Sequence, residues 1–554
     1  MQIIVPMSGF GERFRRAGYD VPKPLILVDG KPIIGHVVDL FPGETDFLFI
    51  CNQDHLDNPE YRMRETLELY CPTGRIFGIP PHKLGPVFAV SEVFEAIDNS
   101  RPVIVNYCDF TAYWDWSDFR AFVAETQCDG CIPSYRNFHP HMLHSTSFAY
   151  TRNEALWVRA IQEKQPYTDH PMEEFASSGT YYFSSGARMK RCFRETMERK
   201  LALNGEYYVS LAYIPLIEAG EAIAIYELQH FMQWGTPEDL AQYLRWSAVF
   251  RRLATDEQQP EQFPPVGSVV LPMAGAGQRF ADQGYALPKP LIPVSGRPMV
   301  VQAAHDLPRA TQYAFVLRRD LPHLEEIQSS LDSNFPDCLQ VVLEQLTDGQ
   351  ARTALLGLDA VDESAPVTIG ACDNGMIYDR AAFQQLQEDP DVDVIVWGMT
   401  GHPGASQHPR MYGWIDAEDG WVREVSVKVP LANPASDPAV VGTFSVRRGR
   451  DFRAAAERMI ARDARVNGEL YIDTCINDAV AMGLRCRLFL LDYYMGWGTP
   501  DDLKAFEYWQ SCFHKWAGHP YRLELDSRVD PASLPALSAR FAAIVPARPS
   551  RIRQ

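Results

Sequence analysis

At 554 residues, 46% hydrophobic and 22% charged, the chain has the composition of a soluble globular protein and the length of more than one ordinary domain. A formal net charge of −19 argues against nonspecific nucleic-acid binding, which needs Lys and Arg facing phosphates, but not against a small anion held by a few local cations. The chain opens directly on an apolar strand and has no apolar run of 18 residues, so no membrane partner is expected. Eleven scattered cysteines suit reduced thiols in a cytoplasmic protein.

Ile3–Met7 reads as a buried strand, followed by the turn Gly9-Phe10-Gly11-Glu12-Arg13-Phe14 and then Pro22-Lys23-Pro24-Leu25-Ile26. Asp46–Cys51 and Pro102–Tyr107 read as further buried parallel strands, with Thr66–Tyr70 and Val87–Ala96 as helices between them. This alternation predicts a three-layer αβα sheet with mostly parallel strands and with ligands at the strands' C-terminal ends. Cys128 and Cys131 have no second pair at zinc spacing and read as part of a buried strand. His139-Pro140-His141 reads as loop structure, because its repeat His402-Pro403-Gly404 keeps a single histidine. The aromatic run Tyr113–Trp116 suits either a pocket wall or packing.

From Val269 the chain repeats itself. Gly9 and Gly275 are 266 residues apart; Asp109 and Asp373, and Lys164 and Lys428, are 264 apart; Gly179 and Gly442 are 263 apart. NGEYYVS from Asn204 returns as NGELYID from Asn467, and WGTPEDL from Trp234 returns as WGTPDDL from Trp497. A drift of about three residues over some 240 means two copies of one domain rather than a solenoid. The expected organisation is a first copy over 1–254, a polar, proline-rich linker over 255–267, a second copy over 268–513 and a tail over 514–554. The tail is expected to carry a short helix in Leu534–Val545 and a fraying basic end.

Glycines after a strand let backbone N–H groups approach phosphate oxygens, a following helix N-terminus adds its dipole, and an Arg and a Lys neutralise phosphate charge. Gly9, Gly11, Arg13 and Lys23 supply this set once, and Gly275, Gly277, Arg279 and Lys289 supply it again. It is neither a Walker A loop nor a full GxGxxG, since Phe14 and Phe280 hold the third glycine position.

GxGxRF, PKPLI, an Asp ending a mid-domain strand, Glu163-Lys164, Gly179-Thr180-Tyr181, NGEYY and WGTP together resemble the sugar-1-phosphate nucleotidyltransferases, the nucleotide-sugar pyrophosphorylases. The resemblance covers roughly 1–250 and 267–513. It implies two tandem Rossmann-like nucleotidyltransferase domains that use Mg²⁺. The implied reaction transfers NMP from an NTP to a phosphorylated acceptor such as a sugar-1-phosphate, giving an NDP-sugar and pyrophosphate. Arg13 and Lys23 would bind the triphosphate and the leaving pyrophosphate, Asp109 the metal and Lys164 the acceptor phosphate. Gly9, Gly11 and Gly85 would line the nucleotide site, and Glu163, Gly179 and Glu206 the acceptor pocket. In the second copy the same roles fall to Arg279, Lys289, Asp373 and Lys428, to Gly275, Gly277, Gln345 and Gly349, and to Gly442 and Glu469.

The copies depart from the pattern differently. Val427 replaces Glu163, removing an acceptor contact, whereas Pro81 stands where the second copy has the base-reading Gln345. Gln233 and Gly496 stand where many members carry a second acidic metal ligand. Unequal jobs follow as an expectation, with the first copy the better catalyst and the second a regulatory or structural binding module. A nucleotide-sugar-dependent glycosyltransferase is the remaining alternative, disfavoured because neither Cys108-Asp109 nor Cys372-Asp373 forms an Asp-x-Asp motif. Base, acceptor and oligomeric state stay open, and the tandem copies themselves suit a pseudo-dimer.

Overall fold

Ile3, Ile4 and Val5, like Val269, Val270 and Leu271, are buried on both sides of their strands, as parallel strands covered by helices on both faces must be. In the computed structural model, which describes residues 1–256, 263–275 and 277–548, the chain divides into two units. Unit 1 comprises Met1–Ala248, Ser511–His519 and the described residues from Ala542 on; unit 2 comprises Val249–Gln510 and Pro520–Phe541.

The main sheet of unit 1 has ten strands, starting in spatial order at Arg75, Asp46, Gln2, Val103, Thr180, Gly130, Ile223, Trp157, Ala149 and Phe175. Gln2–Met7 runs parallel to Asp46–Asn52 and to Val103–Asn106, and Thr180–Phe183 is the antiparallel strand beyond. The main sheet of unit 2 has nine strands, starting at Leu339, Gln312, Ser268, Val367, Ala439, Val394, Cys486, Trp421 and Gly413. Ser268–Pro272 is again parallel to both neighbours, and Ala439–Val446 antiparallel to Val367–Ile369. The order and sense are those of unit 1, except that Ala439–Val446 does alone what Phe175–Ser177 and Thr180–Phe183 share. Each unit is therefore a Rossmann-like α/β domain.

The three layers follow from the period of two along a strand. Val269, Leu271, Phe315 and Leu317 pack with Val300, Val301, Ile327 and Leu331 on one face of the unit 2 sheet. Val270, Ala314 and Val316 pack with Ala354, Leu358, Phe452 and Met459 on the other. Among the described residues, no helix is long and apolar enough to cross a membrane.

Several local expectations shift. The helix expected over Val87–Ala96 is Pro86–Ser91 followed by a 3₁₀ turn, Phe94–Ala96. The tail helix is Leu534–Arg540. Asp256, within the expected linker, is buried and ion-paired, whereas 257–262 of that linker lie outside the described residues. So do 549–554 of the basic end, but Arg548 pairs with Asp118 and Glu125. Tyr113–Trp116 serves packing: Trp114 donates to the Leu40 carbonyl at 3.0 Å, and Asp115 caps the helix Trp116–Thr126.

His139, His141 and His230 are buried in unit 1, His139 and His141 against Tyr135 and His230 against Tyr113, and His141 Nε2 lies 3.0 Å from Tyr135 Oη. Burial pushes His139 down to about 4 and holds the other two well below the usual histidine range. Because the folded values are depressed, this stability is present above the unfolded pKa near 6.5 and is lost as pH falls through the folded ones. His139 alone then contributes roughly 3 kcal/mol of acid destabilisation by pH 4. Urea titrations between pH 7.5 and 4.5 are expected to lose stability less steeply in His139→Phe than in the wild type; parallel profiles would contradict the argument.

Candidate functional site

The loop after Gln2–Met7 turns on Gly11, and the loop after Ser268–Pro272 on Gly277. Their φ angles of +64° and +63° lie in the left-handed region that favours glycine. A side chain added at Gly9 or Gly275 would meet nothing within 4 Å, so the loop backbone is open to a ligand. The helices that follow, Glu12–Arg16 and Gln278–Asp282, have five residues each. The helix dipole expected from sequence is therefore a minor contributor, since so short a helix aligns few peptide units. The groups left to meet an anion there are the loop backbone and the cations, of which Arg13 and Arg279 are exposed on those short helices.

Lys23 is bracketed by two prolines in the 3₁₀ turn Lys23–Leu25, which aims its ammonium across the loop. Its Nζ lies 2.7 Å from Asp109 Oδ2, and Lys289 Nζ lies 2.5 Å from Asp373 Oδ2. Phe14 and Phe280 are buried, and their rings lie 5.6 and 5.9 Å from the two ammonium groups. The phenylalanine at the third glycine position is thus a floor under the lysine. Burial lowers the Lys289 pKa, but Asp373 more than offsets it and leaves the ammonium above its ordinary value.

Asp109 follows the strand Val103–Asn106, and its carbonyl accepts the Trp234 N–H at 2.9 Å; Asp373 accepts from Trp497 at the same distance. In unit 1 the ribbon of Phe110–Tyr113 and His230–Gln233 sets Gln233 opposite Phe110. A methyl group at Gly235 would lie 2.5 Å from Gln233 Nε2 and 3.4 Å from Asp109 Oδ2, so the two side chains converge there. In unit 2 Gly496 takes the place of Gln233, and Gly498 faces Asp373 alone. Among the described residues no group of three or more His, Cys, Asp or Glu could hold a metal. One carboxylate beside a side-chain amide, whose oxygen turns toward Asp109 only if the amide rotates, instead suits a hard cation that takes most of its ligands from phosphates and water.

A second acid stands behind each metal candidate. Thr236 Oγ1 donates to Asp239 Oδ2 at 2.8 Å, and the Asp239 N–H donates back at 3.1 Å. Burial, with Asp109 adding to it, pushes Asp239 up to about 6, and burial likewise raises Asp502 near Asp373. The sequence signal was present as Thr236-x-x-Asp239, a capping-box spacing at a helix start.

Lys164 and Lys428, the lysines expected to meet the acceptor phosphate, both sit in the left-handed region, at φ +57° and +62°. The two units share this backbone conformation here as they do at other matched turns, such as Ala155 and Asp419 or Asn204 and Asn467. Lys164 Nζ donates to Tyr208 Oη at 2.6 Å and lies 4.5 Å from its ring centroid; Lys428 Nζ lies 5.6 Å from the Tyr471 ring. Tyr208 and Tyr471 are functional candidates that lie in the repeated NGEYYVS and NGELYID segments, where sequence alone gives them no role. Glu206 and Glu469 are near enough to these tyrosines to raise their pKa values beyond what burial does, while Arg13 and Arg279 are near enough to oppose the rise. The loop arginine and the acceptor-side lysine of each unit therefore share one polar region. Glu206 and Glu469 each close an Asn-Gly hairpin turn, bridged to Leu203 and Val466.

Glu163 accepts from Ser210 Oγ at 2.5 Å, and burial raises its pKa. Gly179, at φ +93°, lies under Tyr107 and Phe110, whereas Gly442, at +79°, has only Ala371 nearby. Gly85 and Gly349 are demanded by close backbone approach, since a Cβ there would strike the backbone of Tyr207 or Leu470. Gln345 is exposed in its loop. At the corresponding place in unit 1, His82 Nδ1 accepts the Leu84 N–H at 3.2 Å, which leaves Nε2 to donate to Ser8 Oγ at 3.1 Å.

No protein-family model matches the chain, and no curated protein matches it. Solved structures similar to it include the nucleoside-diphosphate-sugar pyrophosphorylase from Vibrio cholerae RC9, at 22% identity and TM-score 0.36, covering 43% of this chain and 98% of that one. They also include the inositol-1-phosphate CTP transferase from T. maritima, at 12% identity and TM-score 0.35, covering 46% of this chain and 98% of that one. A UDP-glucose pyrophosphorylase complexed with UDP-glucose matches at 16% identity and TM-score 0.35, covering 45% of this chain and all of its own.

Proposed function

We propose that the chain transfers a nucleoside monophosphate from an NTP to a phosphorylated, hydroxylated acceptor, most simply a sugar-1-phosphate, and releases pyrophosphate. One observation carries this reading: in both units a Lys–Asp pair at the end of a parallel strand faces an open glycine loop. The Arg of that loop acts electrostatically on a tyrosine that also contacts a second, acceptor-side lysine.

The chemistry needs no protein nucleophile. An acceptor phosphate oxygen attacks the α-phosphorus, a P–O bond forms there, and the α–β bridging P–O bond breaks in line as pyrophosphate leaves. Arg13 and Lys23 neutralise the triphosphate and the charge that grows on the leaving group. Lys164, steadied by Tyr208, holds the acceptor phosphate, so two polyanions meet between cations. Asp109, with the Gln233 amide beside it, would hold Mg²⁺, which would supply further charge stabilisation on the phosphates. Because Lys23 now occupies Asp109, arrival of the charged nucleotide must part that pair and free each group for its own role.

Pyrophosphate release with Mg²⁺, four ribonucleoside triphosphates, dTTP and a set of sugar-1-phosphates tests the reading. At least one pair is expected to turn over; a folded protein inert with every pair would overturn it. Unequal roles are favoured by Gln233 against Gly496, which leave unit 1 with the fuller metal site.

A further inference from the structure

The acceptor end of unit 2 lacks the strand carboxylate of unit 1, yet three positions differ between the units in a concerted way. In unit 1, Ala149 and Glu163 face each other across an antiparallel pair, and Glu163 reaches Ser210. In unit 2 the facing residues are Gly413 and Val427. The repeat position of Ser210 is Asp473, in the first turn of the helix Ile472–Ala481. A methyl group built on Gly413 would collide with Asp473 Oδ2. Glycine therefore stands where the helix carboxylate needs room, and valine where the strand carboxylate stood.

We propose that Asp473 recognises an acceptor hydroxyl in a second acceptor site, in unit 2, which takes a phosphorylated sugar or polyol with its phosphate on Lys428. The inference rests on the transferase reading only in taking Lys428 as the phosphate ligand. A carboxylate only accepts hydrogen bonds when ionised, so a hydroxyl is its natural partner. The electrostatic setting matches that of Glu163: burial raises each carboxyl, Lys164 opposes the rise at Glu163, and Lys428 opposes it at Asp473. An acid serving only the helix dipole would not require Gly413. The site is also roomier than its counterpart, since Ala371 replaces the Tyr107 ring beside the left-handed glycine. Unit 2 should therefore accept a bulkier acceptor than unit 1.

The test uses the full-length protein carrying Lys164→Ala, which silences the phosphate site of unit 1. It is titrated calorimetrically with glucose 1-phosphate, glycerol 3-phosphate and inorganic phosphate. At least one of the two hydroxylated phosphates is expected to bind about tenfold or more tightly than inorganic phosphate, the worth of a charge-assisted hydrogen bond. Asp473→Ser should bring the ratio of hydroxylated to inorganic phosphate affinity down to about one, with inorganic phosphate binding kept or tightened because a negative charge near Lys428 is lost. The exchange Gly413→Ala with Val427→Glu and Asp473→Ser should restore the advantage from the strand side, which also shows that the serine variant is folded. An advantage that is absent at the start, or that survives Asp473→Ser, overturns the proposal. Failure of the transferase reading would show differently, as no pyrophosphate from any NTP while these binding ratios hold.

Discussion

Arg528→Ala is expected to destabilise unit 2 by about 3–5 kcal/mol, the usual cost of removing one partner from a buried ion pair. Arg528 is 5% exposed; its Nη1 lies 3.0 Å from Asp256 Oδ2 and its Nε 2.9 Å from Asp306 Oδ1, and those acids are 6% and 4% exposed. Asp306 also accepts the Met376 N–H at 3.1 Å, and Asp526 accepts the Arg528 N–H at 2.9 Å. Burial alone would raise the pKa values of Asp306 and Asp526, and Arg528 opposes that rise in both. Without the guanidinium these acids are left buried beside one another, and the loss should shrink as pH falls and they protonate. Arg528→Lys keeps the charge but cannot span two carboxylates with a planar fork, so it should recover part of the stability. Thermal and urea unfolding of the three proteins checks this; equal midpoints would show that the tail does not anchor unit 2 through Arg528.

Lys23→Ala is expected to lower kcat by about 10²–10³-fold, the size of effect seen when one group that stabilises transition-state charge is removed. Its pair with Asp109 is partly exposed, so the stability cost should be small and the loss chemical rather than structural. Lys289→Ala removes the equivalent group from a unit with no side chain at the Gln233 position, and most of the activity should survive. Equal partial losses in the two variants would instead mean two active sites of similar competence.

Much of this was legible in the sequence because the repeat acts as an internal control. Lys23, Asp109 and Lys164 stand in matched surroundings twice, and the structure gives each the same partner type in both units. The parallel strands were legible because burial on both faces leaves an unbroken apolar run, as at Ile3–Val5. What was not legible depends on contacts across long separations. Tyr208 gains its place only when Lys164, 44 residues earlier, folds over it. The acid at Asp473 acquires meaning only beside Gly413, a pairing that position in the chain does not announce. Arg528 sits in a tail with no repeat counterpart, so the three acids it joins had no signal at all. The helix dipole was overestimated because a glycine turn and an Arg say where a helix starts but not that it stops after five residues.

In the proposed transfer the bond broken lies between the α- and β-phosphates and the nucleotide ends on the acceptor. An NTP labelled with ³²P at the α-position in one reaction and at the γ-position in another, each with the acceptor that supports turnover, tests it most directly. Transfer predicts α-label in a new diphosphate-linked product and γ-label in pyrophosphate, in equal amounts. Label in free inorganic phosphate, or α-label in free NMP with an unchanged acceptor, would make the protein a hydrolase and contradict the account.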